Sequence, residues 1–549
     1  MALTGADILV AELARHGVRW VATLCGNGMN PFYLACRRAD IRLIDTHNEQ
    51  ASAYIADAYA RLTGQLGVCA VSSGIAHINA LTGIANSFFD GAAVLLITGA
   101  SAGYGARRGV FQEFDQVALA APICKFSSLV TRADDLAFLT RQAIAAACTG
   151  RPGPAHLTVP LDVLEDQVGG LIGEPTRMLP YMQAPGSPSP ELLRNAAKLI
   201  NHSQSPLLIV GTGAFHAQAQ GPAMEFSEVA AVPVVTPIWD RGIVERPHPN
   251  FLGVVGAASG EPKLLADADL VILVGAQVDY RIGFLKPPAV QKDLRIIRID
   301  SDPCALRQGV EPDIAIVANP SICLKGLTAE IQRFGSISSH AAWLDESRRR
   351  WGLFHERWVK GTLPEQPMTG RHIIEAIRPF LTDDTILLID GGNIGQWAHM
   401  VLADHYPSRW LTCGASGVVG WGIPGAMAAK LAFPERPVLL LSGDGAFGFT
   451  TAEIESAARQ NLPFVAVVAD DSAWGIVVSG QRQAFGEDGI LASRFGSIKY
   501  AEVAKAFGAD GMMAESAGEI VKAIRQGFAS DKPTIIHVPI KVGGPADCS

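Results

Sequence analysis

Several features that define common protein classes are missing from this sequence of 549 residues. Its nine cysteines are scattered and form no C-x-x-C pair, so nothing supports a zinc site, and reduced thiols in the cytoplasm are expected. No apolar run approaches the roughly 18 residues that span a bilayer, and residues 1–17 read as an amphipathic helix rather than a signal peptide. There is no basic block, and the net charge is -8. We therefore expect neither a nucleic acid nor a membrane as partner.

What the sequence does contain is typical of a large α/β protein, with 56 Gly, 33 Pro and 48% hydrophobic residues. Short apolar runs alternate with helical patterns throughout, which predicts βαβ units on parallel sheets. Proline-bearing stretches at about 163–190 and 334–368 are predicted to be linkers. The expected architecture is three α/β domains, each an open, mostly parallel sheet flanked by helices, at residues 1–165, 190–335 and 368–545.

Carboxylates follow two apolar runs in the last third of the chain, in the stretch "LLLSGDGAFGFTTAEIESAARQNLPFVAVVADDSAWG" (439–475). Asp444 follows the first predicted strand, and Asp470 and Asp471 follow the second. Residues 446–469 between them suffice for one loop, helix and loop, so both strand ends are expected at one sheet edge. Two carboxylates there suit Mg²⁺. The alternative is that each aspartate only caps a helix.

The same spacing resembles the thiamine diphosphate (ThDP) motif of the pyruvate-decarboxylase and acetolactate-synthase superfamily. The resemblance implies that Asp444, Asp471 and the backbone carbonyl of Ala473 hold the Mg²⁺ that binds the diphosphate, with Gly443 and Gly445 beside the cofactor. The family motif ends in Asn-Asn, whereas this chain has Asp470-Asp471. The extra negative charge is expected either to weaken cofactor affinity or to strengthen metal binding, and the sequence does not choose between these outcomes.

Glu49, in "DTHNEQASAYIADAYARLTG" (45–64), matches the family glutamate that hydrogen-bonds N1′ of the cofactor's aminopyrimidine and so activates it. The alternative is an ordinary helix N-terminal glutamate, favoured there by the helix dipole. Asn48 stands where many relatives have His, a feature in which the chain is similar to 2-hydroxyacyl-CoA lyases.

Two further segments, at 390–398 and 413–432, are similar to cofactor-binding segments of this family. The first resembles the loop that cradles the diphosphate, and the second the turn whose apolar residue bends the cofactor into a V. Taken alone, each is a glycine-rich turn before a helix, which is a weak signal. The matching residues are Gly392, Asn393 and Ile394 in the first segment and Gly417 and Val419 in the second.

Three residues of the first third match positions that line the substrate pocket in relatives. His77 follows Ile75-Ala76, which replace the family's Pro-Gly, so it is read either as a pocket acid/base or as a polar residue in a turn. Gln112 matches the family's Phe-Gln-Glu-x-Asp element. Asn27 lies in a pocket loop, although a turn asparagine explains it equally well.

The middle third resembles the domain that binds FAD in acetolactate synthases and ADP in oxalyl-CoA decarboxylases. Its "GTGAF" turn is not a complete G-x-G-x-x-G, so FAD or ADP is possible but unsupported. Arg281 is the best candidate if a nucleotide binds. The missing fingerprint also disfavours a plain dehydrogenase.

The resemblance covers the whole chain and implies a ThDP- and Mg²⁺-dependent enzyme that cleaves or forms C–C bonds in small 2-oxo acids, aldehydes or hydroxyketones. It implies a homodimer or homotetramer with active sites at the subunit interface. A 2-hydroxyacyl-CoA lyase or oxalyl-CoA decarboxylase is the alternative, disfavoured because the chain stops soon after its last predicted strand. A non-catalytic member of the fold is a further alternative, and the retained Glu49 argues against it. The candidate catalytic residues are Glu49, Gln112, His77 and Asn27.

Overall fold

The fold was analysed on a computed structural model, which describes residues 3–168, 186–240, 248–255, 263–335, 340–359, 367–402, 406–407 and 409–544. Within these residues there are three parallel sheets, each of six strands, and one short antiparallel pair of strands. The α/β class and the succession of three sheet domains predicted from the sequence are confirmed.

The N-terminal domain places its helices on both faces of its sheet. Its strands are β1 (Leu3–Thr4), β2 (Trp20–Thr23), β3 (Arg42–Asp45), β4 (Gly67–Val71), β5 (Val94–Ala100), β6 (Phe126–Leu129), β7 (Ala155–Pro160) and β8 (Gln167–Val168). Its helices are α1 (Gly5–Arg15), α2 (Asn30–Arg38), α3 (Glu49–Thr63), α4 (Ile75–Asp90), α5 (Gln116–Ala120), α6 (Leu136–Cys148) and α7 (Leu161–Glu165). The parallel sheet has the order β3-β2-β4-β5-β7-β6, while β1 pairs with β8.

The middle domain repeats this layered arrangement. Its strands are β9 (Pro206–Val210), β10 (Val234–Pro237), β11 (Phe251–Val255), β12 (Leu270–Val274), β13 (Arg295–Asp300) and β14 (Ile314–Val317), in the order β11-β10-β9-β12-β13-β14. Its helices are α8 (Pro190–His202), α9 (Thr212–His216), α10 (Gln220–Ala230), α11 (Pro320–Arg333) and α12 (Ala341–Val359).

The C-terminal domain carries the carboxylates that the sequence singled out. Its strands are β15 (Ile386–Asp390), β16 (Arg409–Thr412), β17 (Val438–Gly443), β18 (Val465–Asp470), β19 (Asp510–Met513) and β20 (Thr534–Pro539), in the order β16-β15-β17-β18-β20-β19. Its helices are α13 (Gly370–Ile377), α14 (Asn393–Val401), α15 (Gly422–Ala432), α16 (Asp444–Phe449), α17 (Glu453–Arg459), α18 (Gly475–Phe485), α19 (Tyr500–Ala506) and α20 (Ala517–Phe528).

The strands form where the sequence has unbroken apolar runs, because both faces of each parallel sheet are covered by helices. All five residues of β4, β9, β12 and β15 are buried. Helix α3 ends at Gly64, which adopts the left-handed conformation with φ 69°.

One predicted linker contains a long helix instead. Residues 334–368 include α12, whose first turn packs on the middle domain: buried His340 hydrogen-bonds the carbonyls of Ala230 and Ile200, and Trp343 Nε1 donates to Pro206 O. The prolines that suggested a linker lie at 364 and 367, beyond the helix. Most of the other predicted linker, 169–185, lies outside the described residues.

A buried polar cluster joins the N-terminal and C-terminal domains. The Asp57 carboxylate accepts hydrogen bonds from Asn86 Nδ2 at 2.9 Å, Ser87 Oγ at 3.0 Å and Trp421 Nε1 at 2.9 Å. Arg61 lies 3.4 Å away and also 3.7 Å from Asp90. Asp57 is fully buried, so each of these donors would lose its partner in a dry environment if the carboxylate were removed.

We therefore expect Asp57→Ala to lower the free energy of unfolding by about 3–5 kcal/mol, because Arg61 would remain as a buried charge with reduced compensation. Urea denaturation followed by circular dichroism measures this change. The control is Asp134→Ala, which breaks an exposed pair with Arg132 and should cost no more than about 1 kcal/mol. Equal losses in both variants would contradict a special role for the cluster.

Candidate functional site

The candidate site lies where three neighbouring strands of the C-terminal sheet end. Asp390 of β15 pairs with Ser442 of β17, and Gly443 of β17 pairs with Ala469 of β18. Since all three strands are parallel, the loops that follow them begin side by side at the carboxyl edge, where open α/β sheets bind ligands. The predicted meeting of the Asp444 and Asp470-Asp471 strand ends is confirmed.

A cavity of about 290 Å³ opens at this edge. Every residue of the C-terminal domain that we predicted to bind the cofactor lines it: Gly392, Asn393, Ile394, Gly417, Val419, Gly443, Asp444, Gly445, Asp471 and Ala473. These residues are spread over about 80 positions of the chain, and the fold places all of them around one cavity, as the sequence predicted. Their roles toward a ligand remain predictions.

Glycines keep this space open. A Cβ on Gly475 would lie 2.3 Å from Asn393 Nδ2 and 2.4 Å from Asp471 Oδ2, closer than any side chain tolerates. Gly391 and Gly417 have φ of 109° and 68°, values that residues with a Cβ rarely adopt. The loops thus present backbone groups and small surfaces to the cavity.

Two of the three clustered carboxylates face the cavity. Asp444 and Asp471 are 3% and 8% exposed, and Asp444 Oδ2 accepts a hydrogen bond from Ala473 N at 3.2 Å. Burial, and then the negative charges of Asp471 and Asp470, raise the pKa of Asp444 to about 8. Burial also raises the pKa of Asp471 to about 6. Burial and proximity therefore disfavour the ionised form of both carboxyls, and a bound divalent cation would stabilise that form.

Asp470 has a different, structural environment. Its side chain accepts from Ser472 N at 2.9 Å and contacts His537 Nε2 at 2.7 Å. Although burial acts to raise it, these bonds lower the pKa of Asp470. Asp470 is thus an anion satisfied by its own loop and by β20, whereas Asp471 is directed into the cavity.

The donor set fits Mg²⁺ bound together with a diphosphate. No group of three or more His, Cys, Asp or Glu side chains within the described ranges is arranged to hold a metal by itself. Two carboxylates and a backbone carbonyl would leave further positions for phosphate oxygens and water, which is how Mg²⁺ usually binds. The glycine-lined space beside Asp471 leaves room for those additional ligands.

Asp390 is a part of the site that the sequence reasoning missed. It is 1% exposed, and its Oδ2 accepts a 2.6 Å hydrogen bond from Gly422 N. Burial raises its pKa to about 7. Asp390 thereby links the loop that contains Gly392 to the turn before α15. The signal was present in the sequence, since Asp390 ends an apolar strand just as Asp444 follows one.

Aromatic residues of the cavity were also missed. Trp474 lines it beside Gly445, and Trp239 reaches it from the middle domain. Trp239 has φ 64°, and its carbonyl accepts from Thr412 Oγ1 at 2.8 Å. No local pattern reveals that a residue after β10 meets the end of β16, so this contact could be found only from the tertiary structure.

The four candidate catalytic residues of the N-terminal domain are not among the described residues that line this cavity. Glu49 is half-buried at the first position of α3, and its Oε2 accepts from Asn79 Nδ2 at 3.0 Å. Gln112 is half-buried with φ 54°. Asn27 is exposed at the start of a 3₁₀ turn. One chain therefore holds the two halves of the predicted site apart.

His77 lies inside the N-terminal domain and not in a pocket. It is fully buried in α4, with its ring 4.8 Å from that of His156. Burial lowers its pKa to about 4, and burial also lowers the pKa of His156. This position favours the structural interpretation of His77 over the acid/base interpretation.

A second cavity, of about 90 Å³, lies at the carboxyl edge of the middle sheet, and Arg281 is one of its lining residues. Arg281 does not present an uncommitted charge there, because it is paired with Asp279 at 2.8 Å and lies 3.6 Å from Asp240. Carboxylates of Asp90, Asp240 and Asp300 line the same space. Arg151 lines the space as well, so its side chains carry charges of both signs, and FAD or ADP stays possible but unsupported.

Comparison with known proteins agrees with the geometry. The chain matches three domain models of the thiamine pyrophosphate (ThDP) enzymes: the N-terminal TPP binding domain at residues 3–119, the central domain at 193–327 and the C-terminal TPP binding domain at 390–538. The chain therefore belongs to the thiamine pyrophosphate-dependent enzymes. The order of the three matches is the order of the three sheets.

Curated relatives align over nearly the full length of the chain. It is 29% identical to 2-hydroxyacyl-CoA lyase 2 of Mus musculus, covering 95% of this chain and 87% of the relative. It is also 29% identical to the acetolactate synthase isozyme 1 large subunit of Escherichia coli, covering 98% and 94%. A probable acetolactate synthase large subunit of Methanococcus aeolicus is 27% identical, covering 98% and 92%. Among the helices that the structure describes, none has the length and apolar character to cross a membrane.

Acid stability provides a test of the environment of His77. The folded protein holds this ring neutral, because its pKa falls from 6.5 to about 4, so its contribution to stability is present above pH 6.5 and is lost as the pH falls toward 4. Between pH 6.5 and 4.5, we expect the free energy of unfolding to fall by about 2 kcal/mol less in His77→Phe than in the parent chain. Chemical denaturation at both pH values measures this.

The control for this prediction is His202→Gln, since His202 is exposed at the end of α8. This variant should retain the acid dependence of the parent chain. If His77→Phe keeps the same dependence as well, His77 is not held as a buried neutral ring.

Proposed function

We propose that this enzyme binds ThDP with Mg²⁺ and cleaves or forms C–C bonds in small 2-oxo acids, aldehydes or hydroxyketones. The observation that carries the proposal is the single cavity in which the predicted diphosphate, pyrimidine and metal-binding residues meet. Asp444, Asp471 and the Ala473 carbonyl would hold the metal, and the loop at Gly392 would hold the diphosphate.

Bound ThDP supplies a carbanion at its thiazolium that adds to a carbonyl and an electron sink that permits C–C cleavage. The protein's own part is to position and shield the reacting groups. Glu49 would hydrogen-bond the pyrimidine, and Asn79, which donates to Glu49, would orient it. Asp390 fixes the turn before α15 through Gly422, which would keep Val419 in position to support a bound cofactor.

A 2-hydroxyacyl-CoA lyase activity is the second candidate. Asn48, which replaces the His common in the family, supports it: its side chain accepts a hydrogen bond from Gln50 N and caps α3 directly before Glu49. A relative of that name aligns over nearly the whole chain. Relatives named acetolactate synthase align over a similar length, which supports the first candidate equally.

Incubation with ThDP, Mg²⁺ and a substrate panel distinguishes the two candidates. Pyruvate, benzoin-type hydroxyketones and a 2-hydroxyacyl-CoA are the informative substrates, with products identified by mass spectrometry. Carboligation or cleavage of the first two supports the first proposal, whereas an aldehyde and formyl-CoA from the third support the second. No turnover of any member, despite ThDP binding, would contradict both.

The separation of the two half-sites supports an assembly of at least two copies. Glu49 and Gln112 do not line the cavity formed by their own chain. Apolar side chains are exposed around Gln112, with Phe111 79% and Tyr104 82% exposed, as expected for a surface that another subunit covers. We infer that the N-terminal domain of one copy completes the cavity of its partner.

Glu49→Gln tests the catalytic assignment, since an amide, unlike a carboxyl group, cannot exchange a proton with the pyrimidine. We expect turnover to fall at least about 100-fold while the cavity of the C-terminal domain still binds Mg²⁺ and ThDP. The substrate panel above provides the turnover assay, and quenching of tryptophan fluorescence measures cofactor binding. Full turnover by this variant would remove Glu49 from the mechanism.

Mixing two inactive variants tests the shared site. Glu49→Gln damages one half-site and Asp444→Ala the other, so a mixed dimer contains one intact and one doubly damaged site if the halves come from different copies. Co-expression of the two variants with different tags should restore about 25% of the parent activity, because about half of randomly formed dimers are mixed. Sites formed within one chain would show no recovery.

A further inference from the structure

The cavity that must accept a diphosphate is lined by negative rather than positive side chains. Asp444 and Asp471 both face it, and none of its described lining residues is Lys, Arg or His. An anionic ligand therefore meets two acidic side chains and no compensating cationic side chain from this part of the chain.

Backbone groups supply the only positive potential that the described lining residues provide. The first turns of α14 and α18 line the cavity at Asn393 and Gly475, so partial positive charges face it. These partial charges amount to about one elementary charge between them, and the two acidic side chains oppose them. Without a cation, the cavity is electrostatically unfavourable for a diphosphate.

The second carboxylate changes the charge of the metal-loaded site. A divalent cation on Asp444 alone would leave a net positive site, whereas the same cation on Asp444 and Asp471 is fully neutralised. The second carboxylate strengthens the binding of a cation, and it weakens the attraction between the metal-loaded site and an incoming diphosphate.

Neighbouring groups do not remove the charge of Asp471. His537 is committed to Asp470 at 2.7 Å, and Tyr500 donates its hydroxyl to the Asp444 carbonyl at 3.0 Å. Asn393, which lies beside Asp471, is an uncharged amide. Asp471 thus has neutral hydrogen-bond partners, Asn393 and the Ala473 backbone, and no cationic partner among the described lining residues of the cavity.

We propose that Asp471 makes cofactor loading sequential: the protein binds a divalent cation on its own, and ThDP binds only to the metal-loaded protein. Asp471 strengthens the first step and weakens the second, in comparison with an amide at this position. This inference rests on the proposed function, because it assigns the metal and the diphosphate to the same cavity.

The test compares the parent chain with Asp471→Asn, using Mn²⁺ alone and counting free Mn²⁺ by electron paramagnetic resonance. We expect one site per chain in the parent without ThDP, and an affinity at least about tenfold lower in the variant. At saturating Mg²⁺, titration with ThDP followed by tryptophan fluorescence should show tighter binding to the variant than to the parent.

The matched control is Asp488→Asn, which removes the same charge from an exposed position of the same domain and should change neither affinity. Thermal unfolding of each variant confirms that it is folded. The proposal is overturned if the parent binds Mn²⁺ only when ThDP is present, or if Asp471→Asn and the parent bind Mn²⁺ equally.

Failure of the proposed function gives a different result. In that case, ThDP would not bind even at saturating Mg²⁺. Metal binding that depends on Asp471 would still support the first loading step. The anionic ligand of the cavity would then be a molecule other than ThDP. Metal binding and ThDP binding are measured separately, so the two failures cannot be confused.

Discussion

The parallel pairing of β15, β17 and β18 is the constraint on which the rest of the site depends. Because these strands are neighbours and run in one direction, the loops after Asp390, Gly443 and Asp470 start within a few strand spacings of each other. Each loop then contributes a different element: a glycine-rich turn, a carboxylate and a second carboxylate. The close approach of Asp444 and Asp471, with the pKa rise that burial and mutual repulsion cause, follows directly from this arrangement.

The other two domains are held against the C-terminal domain by different contacts. The middle domain contributes Trp239, held by Thr412, and the buried cluster around Asp57 fixes the N-terminal domain against Trp421. That docking buries the first domain against the third but leaves Glu49 away from the cavity of its own chain. In the assembly that we propose, a second copy would bring its own helix α3 to the open side of the cavity.

Much of the fold and of the candidate site could be predicted from the sequence, because it depends on local patterns of residues. Apolar runs fixed the strands because both faces of a parallel sheet are buried, and the 24 residues between Gly445 and Asp470 matched one crossover, which the pairing of β17 with β18 confirms. The helix α12 was missed because nearby prolines suggested a linker. His77 was placed among the catalytic candidates because its neighbours in sequence resemble a pocket loop, whereas its ring is buried against His156.

The sequence by itself determined the α/β class, the family and the residues around the cofactor cavity, because each depends on short patterns that strand ends and turns impose. The tertiary structure alone decided which carboxylates are available. Asp470 and Asp471 are adjacent in the chain, yet His537 satisfies one and the cavity receives the other. It also decided that Asp390 binds Gly422, that Trp239 reaches the cavity and that Arg281 lies beside Asp240, since these contacts join segments whose distance in sequence carries no information about their distance in space.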